Sequence, residues 1–126
     1  MKFDTQKYSY PSRRTVSFAK NGMVATSSPL PAQVGLDVLK KGGNAIDAAV
    51  ATAAALSVIE PTSNGIGADS FALIWYKGKL YGLNGSGHSP RLISGEKLLE
   101  QGLKAVPNDG WDPVMVPGTP SAWAEA

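Results

Sequence analysis

The chain has 126 residues, no cysteine and one histidine, and its 12 basic and 10 acidic residues leave a net charge of +2. Without cysteine there is no disulfide, no thiol nucleophile and no thiolate metal ligand, and one histidine is too few for a protein-built zinc site. The basic residues form no stripe, so no nucleic-acid partner is expected; 43% hydrophobic and 17% charged residues describe a globular protein with a core.

Residues 1–14 are polar and aromatic around one proline and read as an extended arm. They hold no apolar leader segment, and nowhere does the chain reach the ~20 apolar residues of a membrane span. No membrane partner is expected, and the expected compartment is the cytoplasm. Residues 15–18 read as a short strand, Asn21-Gly22 as a turn, and MVAT, residues 23–26, as a short buried strand. Ser28-Pro29 is the pattern of an N-cap and a first helical position. A helix is expected over residues 30–41, with Leu30, Val34, Leu36, Val38 and Leu39 on its apolar face. Lys40-Lys41 suits its last turn, and Gly42-Gly43 ends it.

The segment NAIDAAVATAAALSVI, residues 44–59, organises the rest. From Ala48 to Ile59 it carries no charge, and its larger apolar residues point to all sides. A helix with no polar face is expected to be buried all round. Asn44 is a good N-cap, Asp47 suits the positive end of the helix dipole, and Glu60-Pro61 stops the helix.

TSNGIGAD, residues 62–69, is a polar glycine loop. FALIWY, residues 71–76, is a continuous apolar run, expected to be a strand covered on both faces. Lys77-Gly78 turns it into a partner strand over residues 79–83. NGSGHSP, residues 84–90, is a second glycine loop where that hairpin ends. A short amphipathic helix is expected over residues 94–103, an irregular stretch over 106–116, and a helix opening at PGTP with Thr119 as N-cap and Pro120 at its first position. That helix has run about two turns at Ala126, and an isolated helix so short is marginal in water. With an all-apolar helix also in need of cover, the chain reads as the N-terminal part of a longer one.

The chain has no GxxxxGK[ST] phosphate loop and no GxSxG nucleophile motif, and GIGAD precedes its strand, so it is not a dinucleotide loop. The two glycine loops have two readings. They are turns that need positive φ, or their successive N–H groups form an anion pocket. His88 sits in the second loop, where it could touch substrate, although a lone histidine is more often a bystander. Asp69 either orients the first loop by accepting N–H bonds or is a solvated turn residue.

The run GMVATSSPLPAQVGLDVLKKGGNAIDAAVATAAALSVIEPTSNGIGADSFAL resembles the N-terminal region of the γ-glutamyltranspeptidases. Their pattern has "MVA" before a proline-leucine helix start, then "KKGGNAxDAA", "xEPxxxGIGG", a phenylalanine-led strand and a later "VPG", here VPGT. The likeness covers about residues 22–126, with the motifs in the same order. It implies an α+β fold, the αββα four-layer sandwich of N-terminal nucleophile hydrolases. Residues 15–126 would be the start of the large subunit, an incomplete domain. It also implies a precursor that cuts itself. The new N-terminal threonine of the small subunit attacks a γ-glutamyl amide to form an acyl-enzyme, with its own amino group as base. The expected partners are that small subunit and a small-molecule amide, and no cofactor is implied.

Thr5, Thr15, Thr26, Thr52, Thr62 and Thr119 all fall outside the family's nucleophile motif, so no catalytic residue is expected in this chain. By resemblance, Asn84, Gly85, Ser86, Gly87 and His88 lie beside the bound acyl group. Ser86 falls where the family's "DFRExAP" pattern carries a carboxylate-gripping arginine, and a serine cannot form that bidentate charged pair. His88 and the amides of Gly85 and Gly87 are then the candidates to meet an anion. Ala68 stands where a further glycine is usual. The rival expectations are an acylase on glutaryl or cephalosporin-type amides, and a binding module without catalysis.

Overall fold

The computed structural model describes residues 16–126. The extended arm expected over residues 1–14, and Thr15, lie outside the described residues. In chain order the elements are α1 (Pro29–Lys40), α2 (Ala45–Ile59), β1 (Ser70–Tyr76), β2 (Lys79–Gly85), α3 (Gly95–Glu100) and α4 (Thr119–Glu125).

α1 and α2 pack against each other, with Gly35 of α1 against Thr52 of α2. A Cβ on Gly35 would meet the Thr52 hydroxyl and lie 3.0 Å from a Val24 methyl. Pro31, Gly35, Ala48 and Thr52 are buried there. The Thr52 hydroxyl is satisfied within its own helix, donating to the Ala48 carbonyl at 2.7 Å. The link between the helices is hydrogen-bonded from end to end. Lys41 to Gly43 close α1 with Gly43 N–H on the Val38 carbonyl and Gly42 N–H on that of Leu39, both near 3.0 Å. Asn44 then caps α2. Its side chain accepts from the N–H groups of Ile46 (2.7 Å) and Asp47 (3.0 Å), and the Asp47 carboxylate accepts from Asn44 N–H (2.9 Å). This is a capping box with an asparagine and an aspartate in its two positions.

β1 and β2 form an antiparallel hairpin in the register Ser70↔Gly85 to Tyr76↔Lys79. Lys77 and Gly78 both have positive φ, 49° and 77°, so the turn twists with the strands. α4 packs across the far end of this hairpin, where Gly85, Gly118, Thr119 and Ala122 are all buried. α3 is capped by the Ser94 hydroxyl and buries Leu98.

Several expectations are corrected. Residues 16–18 and 23–26 form no strand; no described backbone pairs with them, although Val24 does pack on Gly35. Among the described residues α2 is covered on one side only, by α1, and Val58 is 78% exposed at its end, as a chain holding part of a larger fold would leave it. β1 is likewise covered on one face only. Ala72 and Ile74 are half-buried on the side facing α2, whereas Leu73 on the other side is 82% exposed beside Phe71 and Trp75. Apolar pattern predicts what a residue favours, but cover needs a partner surface. Among the described residues these faces have none. Even between α2, β1 and α4 a groove of about 700 Å³ stays open. β2 also runs two residues further than expected, taking Asn84 and Gly85 out of the loop.

Candidate functional site

Two loops separated by the whole hairpin are brought together by a third segment. The carbonyl of Ala68, in the first glycine loop, accepts from the N–H groups of Gly118 (3.3 Å) and Thr119 (3.1 Å). It also accepts from the Thr119 hydroxyl at 2.8 Å. Thr119 was expected to cap α4. Instead Gly118 is the cap residue, Thr119 is the first helical residue, and its side chain is turned onto Ala68. The second loop is tied to the same segment, with Val116 N–H donating to the His88 carbonyl at 2.9 Å.

Glycine permits this close approach. Gly87 has φ +82°, and a Cβ there would run into the Val116 carbonyl. A Cβ on Gly85 would lie 2.5 Å from the Ala122 Cβ and 3.0 Å from the Ser70 carbonyl oxygen. The glycines of NGSGHSP are therefore packing positions as well as turn positions.

The expected site residues then separate by place. Asn84 is exposed, and its side chain accepts the Ser86 N–H at 3.0 Å, which fixes the turn into the loop. Gly85 is buried beneath α4 and Gly87 is half-buried. Ser86 is half-buried and faces an open recess of about 290 Å³ between the loops. Gly67, Ala68, Asp69 and residues 114–117 line that recess with it. His88 is exposed and lies outside that lining. The Asp69 carboxylate is exposed and accepts none of its loop's N–H groups among the described residues, as a solvated turn residue would.

Sequence reasoning passed over the segment Val114-Met115-Val116-Pro117 as a wall of the site. Its signal was the VPGT run, whose proline and glycine interrupt an irregular stretch just before a helix. Among the described residues no cluster of three metal-ligating side chains occurs, and no helix is long and apolar enough to cross a membrane.

Residues 31–126 match the family described as Gamma-glutamyltranspeptidase. The chain belongs to the γ-glutamyltranspeptidase family. Its relatives include the glutathione hydrolase proenzyme of Bacillus subtilis, 43% identical over 102 residues, a match that covers 79% of this chain and 17% of that protein. Among solved structures, a cephalosporin acylase from Bacillus halodurans superposes with a TM-score of 0.82 at 63% identity, over 99% of this chain and 24% of that one. A γ-glutamyltranspeptidase from Pseudomonas nitroreducens gives 0.74 at 34% identity, over 86% and 33%. The chain thus spans less than a fifth of that curated relative. It carries part of the family's α+β N-terminal nucleophile hydrolase fold: one pair of helices and one hairpin of the sandwich.

Proposed function

We propose that the protein containing this chain is an amide hydrolase and acyltransferase of the γ-glutamyltranspeptidase type. It forms an acyl-enzyme on a threonine outside residues 1–126, after its precursor is cut into two subunits. The described region positions substrate. The observation that carries this reading is the junction at Ala68. In a chain of this family, it fixes both glycine loops at one end of the hairpin with an open recess between them. Of residues 84–88, Ser86 would then line the acyl group's path. Ser86 faces the recess, Gly85 and Gly87 hold the loop down, and His88 stands at its outer end.

Within that reading, a γ-glutamyl amide such as glutathione is one substrate class and a non-glutamyl amide the other. The likeness to the cephalosporin acylase, at 63% identity, favours the second, and so does a serine at the position where the family pattern has its arginine.

The test is expression of the full-length protein, with its subunits resolved by electrophoresis and turnover followed on γ-glutamyl and glutaryl anilides. Self-cleavage with release of aniline from either substrate is expected. The 1–126 chain alone is expected to release none, because it lacks the nucleophile. An uncut full-length protein, or turnover by the isolated chain, would overturn the proposal.

A further inference from the structure

Three of the chain's five asparagines precede glycine: Asn21-Gly22, Asn64-Gly65 and Asn84-Gly85. An asparagine in this setting can cyclise, because glycine has no Cβ to hinder its backbone nitrogen as it approaches the asparagine side chain. The fold gives the three dipeptides different surroundings. We infer that Asn21 is a site of spontaneous covalent modification, converted to aspartyl and isoaspartyl residues, and that the fold preserves Asn64 and Asn84.

The step needs no partner but water. The Gly22 backbone nitrogen gives its proton to solvent base and attacks the Asn21 Cγ. The Cγ–Nδ2 bond breaks, and the amide leaves as ammonia. Water then opens the cyclic imide at either carbonyl. The product is an aspartate, or an isoaspartate whose main chain runs through the former side chain. Ring closure requires a backbone free to turn, a glycine N–H open to base, and an amide group not held elsewhere.

Asn21 lies in a bend, and both it and Gly22 are exposed. Among the described residues no backbone hydrogen bond holds either of them. Asn84 and Gly85 sit in β2 instead, paired with Phe71 and Ser70. Gly85 is buried, and a Cβ there would lie 2.5 Å from the Ala122 Cβ, so this backbone has no room to turn. The Asn84 side-chain oxygen is also held, accepting the Ser86 N–H at 3.0 Å. Asn64 is restrained at the leaving group itself. Its Nδ2 donates to the Glu60 carboxylate at 3.2 Å, and its backbone N–H donates to the Glu60 carbonyl at 2.9 Å. Both glycine loops thus carry a labile dipeptide in a form that resists cyclisation, and the bend before α1 does not.

The test is incubation of the full-length protein in warm neutral buffer, with peptide mapping to follow each asparagine. Conversion is read from the mass gain of an amide turned acid and from the separation of aspartyl and isoaspartyl forms. In the folded protein Asn21 is expected to convert at least about 10-fold faster than Asn84, the factor that a local opening cost of ~1.4 kcal/mol imposes. Asn64 is expected to lag Asn21 as well. In denaturant the three sites are expected to convert at similar rates, since each is then an open Asn-Gly pair. Conversion of Asn64 or Asn84 in the folded protein as fast as that of Asn21 would overturn the inference. So would an Asn21 that converts in denaturant and stays intact in the folded protein, or a ranking of the three sites that denaturant leaves unchanged.

Discussion

Gly85 and Gly118 meet backbone to backbone: a Cβ on Gly85 would lie 3.2 Å from the Gly118 carbonyl oxygen, and one on Gly118 would strike the Gly85 carbonyl. Neither glycine has positive φ. They are glycine because two backbone segments and the first turn of α4 share one small space. This contact seats the helix on the hairpin and sets the second glycine loop beside the first.

Gly85→Ala should therefore destabilise the full-length protein. The new methyl would press on the Ala122 Cβ and on backbone, neither of which can swing away as a long side chain does. Overpacking of this kind costs about 1–3 kcal/mol. Gly95→Ala is the matched control, with open space around the added methyl at the start of α3. Denaturant midpoints of the two variants are the measurement. Equal midpoints would mean that the junction can relax and that α4 is not held there.

Thr119 gives an independent test of the same junction. It is 4% exposed and spends its hydroxyl on the Ala68 carbonyl. Thr119→Val keeps the shape and removes the donor, which should cost about 0.5–1.5 kcal/mol. Thr119→Ser keeps the donor and loses one methyl. If the hydrogen bond matters more than the methyl, the serine variant should show wild-type hydrogen-exchange protection at Gly118 and Thr119 amides, and the valine variant should show less. Equal loss in both would assign the position to packing alone.

The local elements were legible in the sequence because they depend on neighbours along the chain. Asn44 and Asp47 announce the start of α2, Glu60-Pro61 its end, and Lys77-Gly78 the hairpin. The boundary errors have the same origin. β2 was read as ending at Leu83 because Asn84 and Gly85 are poor strand formers. They stay in the strand because Gly85 pairs with Ser70 and fits under Ala122. The junction itself was not legible. Thr119 bonds to a residue 51 positions away, and nothing local to PGTP indicates which carbonyl will face it. The wall formed by residues 114–117 was missed for that reason. The five expected site residues were found as one loop, yet the sequence could not say that Gly85 lies inside and His88 outside.

The buried helix is best probed where α1 covers it. Ala48 is 2% exposed, whereas Ala53 is half-buried and Ala54 exposed. Ala48→Asp should therefore be far more damaging than Ala54→Asp, at least by this chain's own packing. Leaving a buried carboxylate unpaired costs about 3–5 kcal/mol, a large part of a typical domain's stability of roughly 5–15 kcal/mol. The comparison is the yield of soluble full-length protein from each variant. Similar loss for both would show that α2 is covered on its second side by residues outside those described.

The capping box at the start of α2 makes the last prediction, because its two halves depend on each other. Asn44 holds two N–H groups of the first turn, and Asp47 returns a bond to Asn44 N–H. Asn44→Ala should cost about 1 kcal/mol, within the usual 0.5–2 kcal/mol range for a lost N-cap. Asp47→Ala should cost less, since it removes one bond and a favourable charge at the helix dipole. Each side chain bonds a backbone N–H that the other substitution leaves in place, so the two are coupled only through the order of the shared first turn; once either change frays it, the double variant should lose less than the two single losses combined. The site is exposed, so the effect is a fraying of the first turn and not global unfolding. Amide exchange at Ile46 and Asp47 in the full-length protein reads that fraying directly. Faster exchange in both single variants, with little further increase in the double, is the expected pattern. Strict additivity would mean that the two residues stabilise the first turn independently, and the expected coupling would be absent.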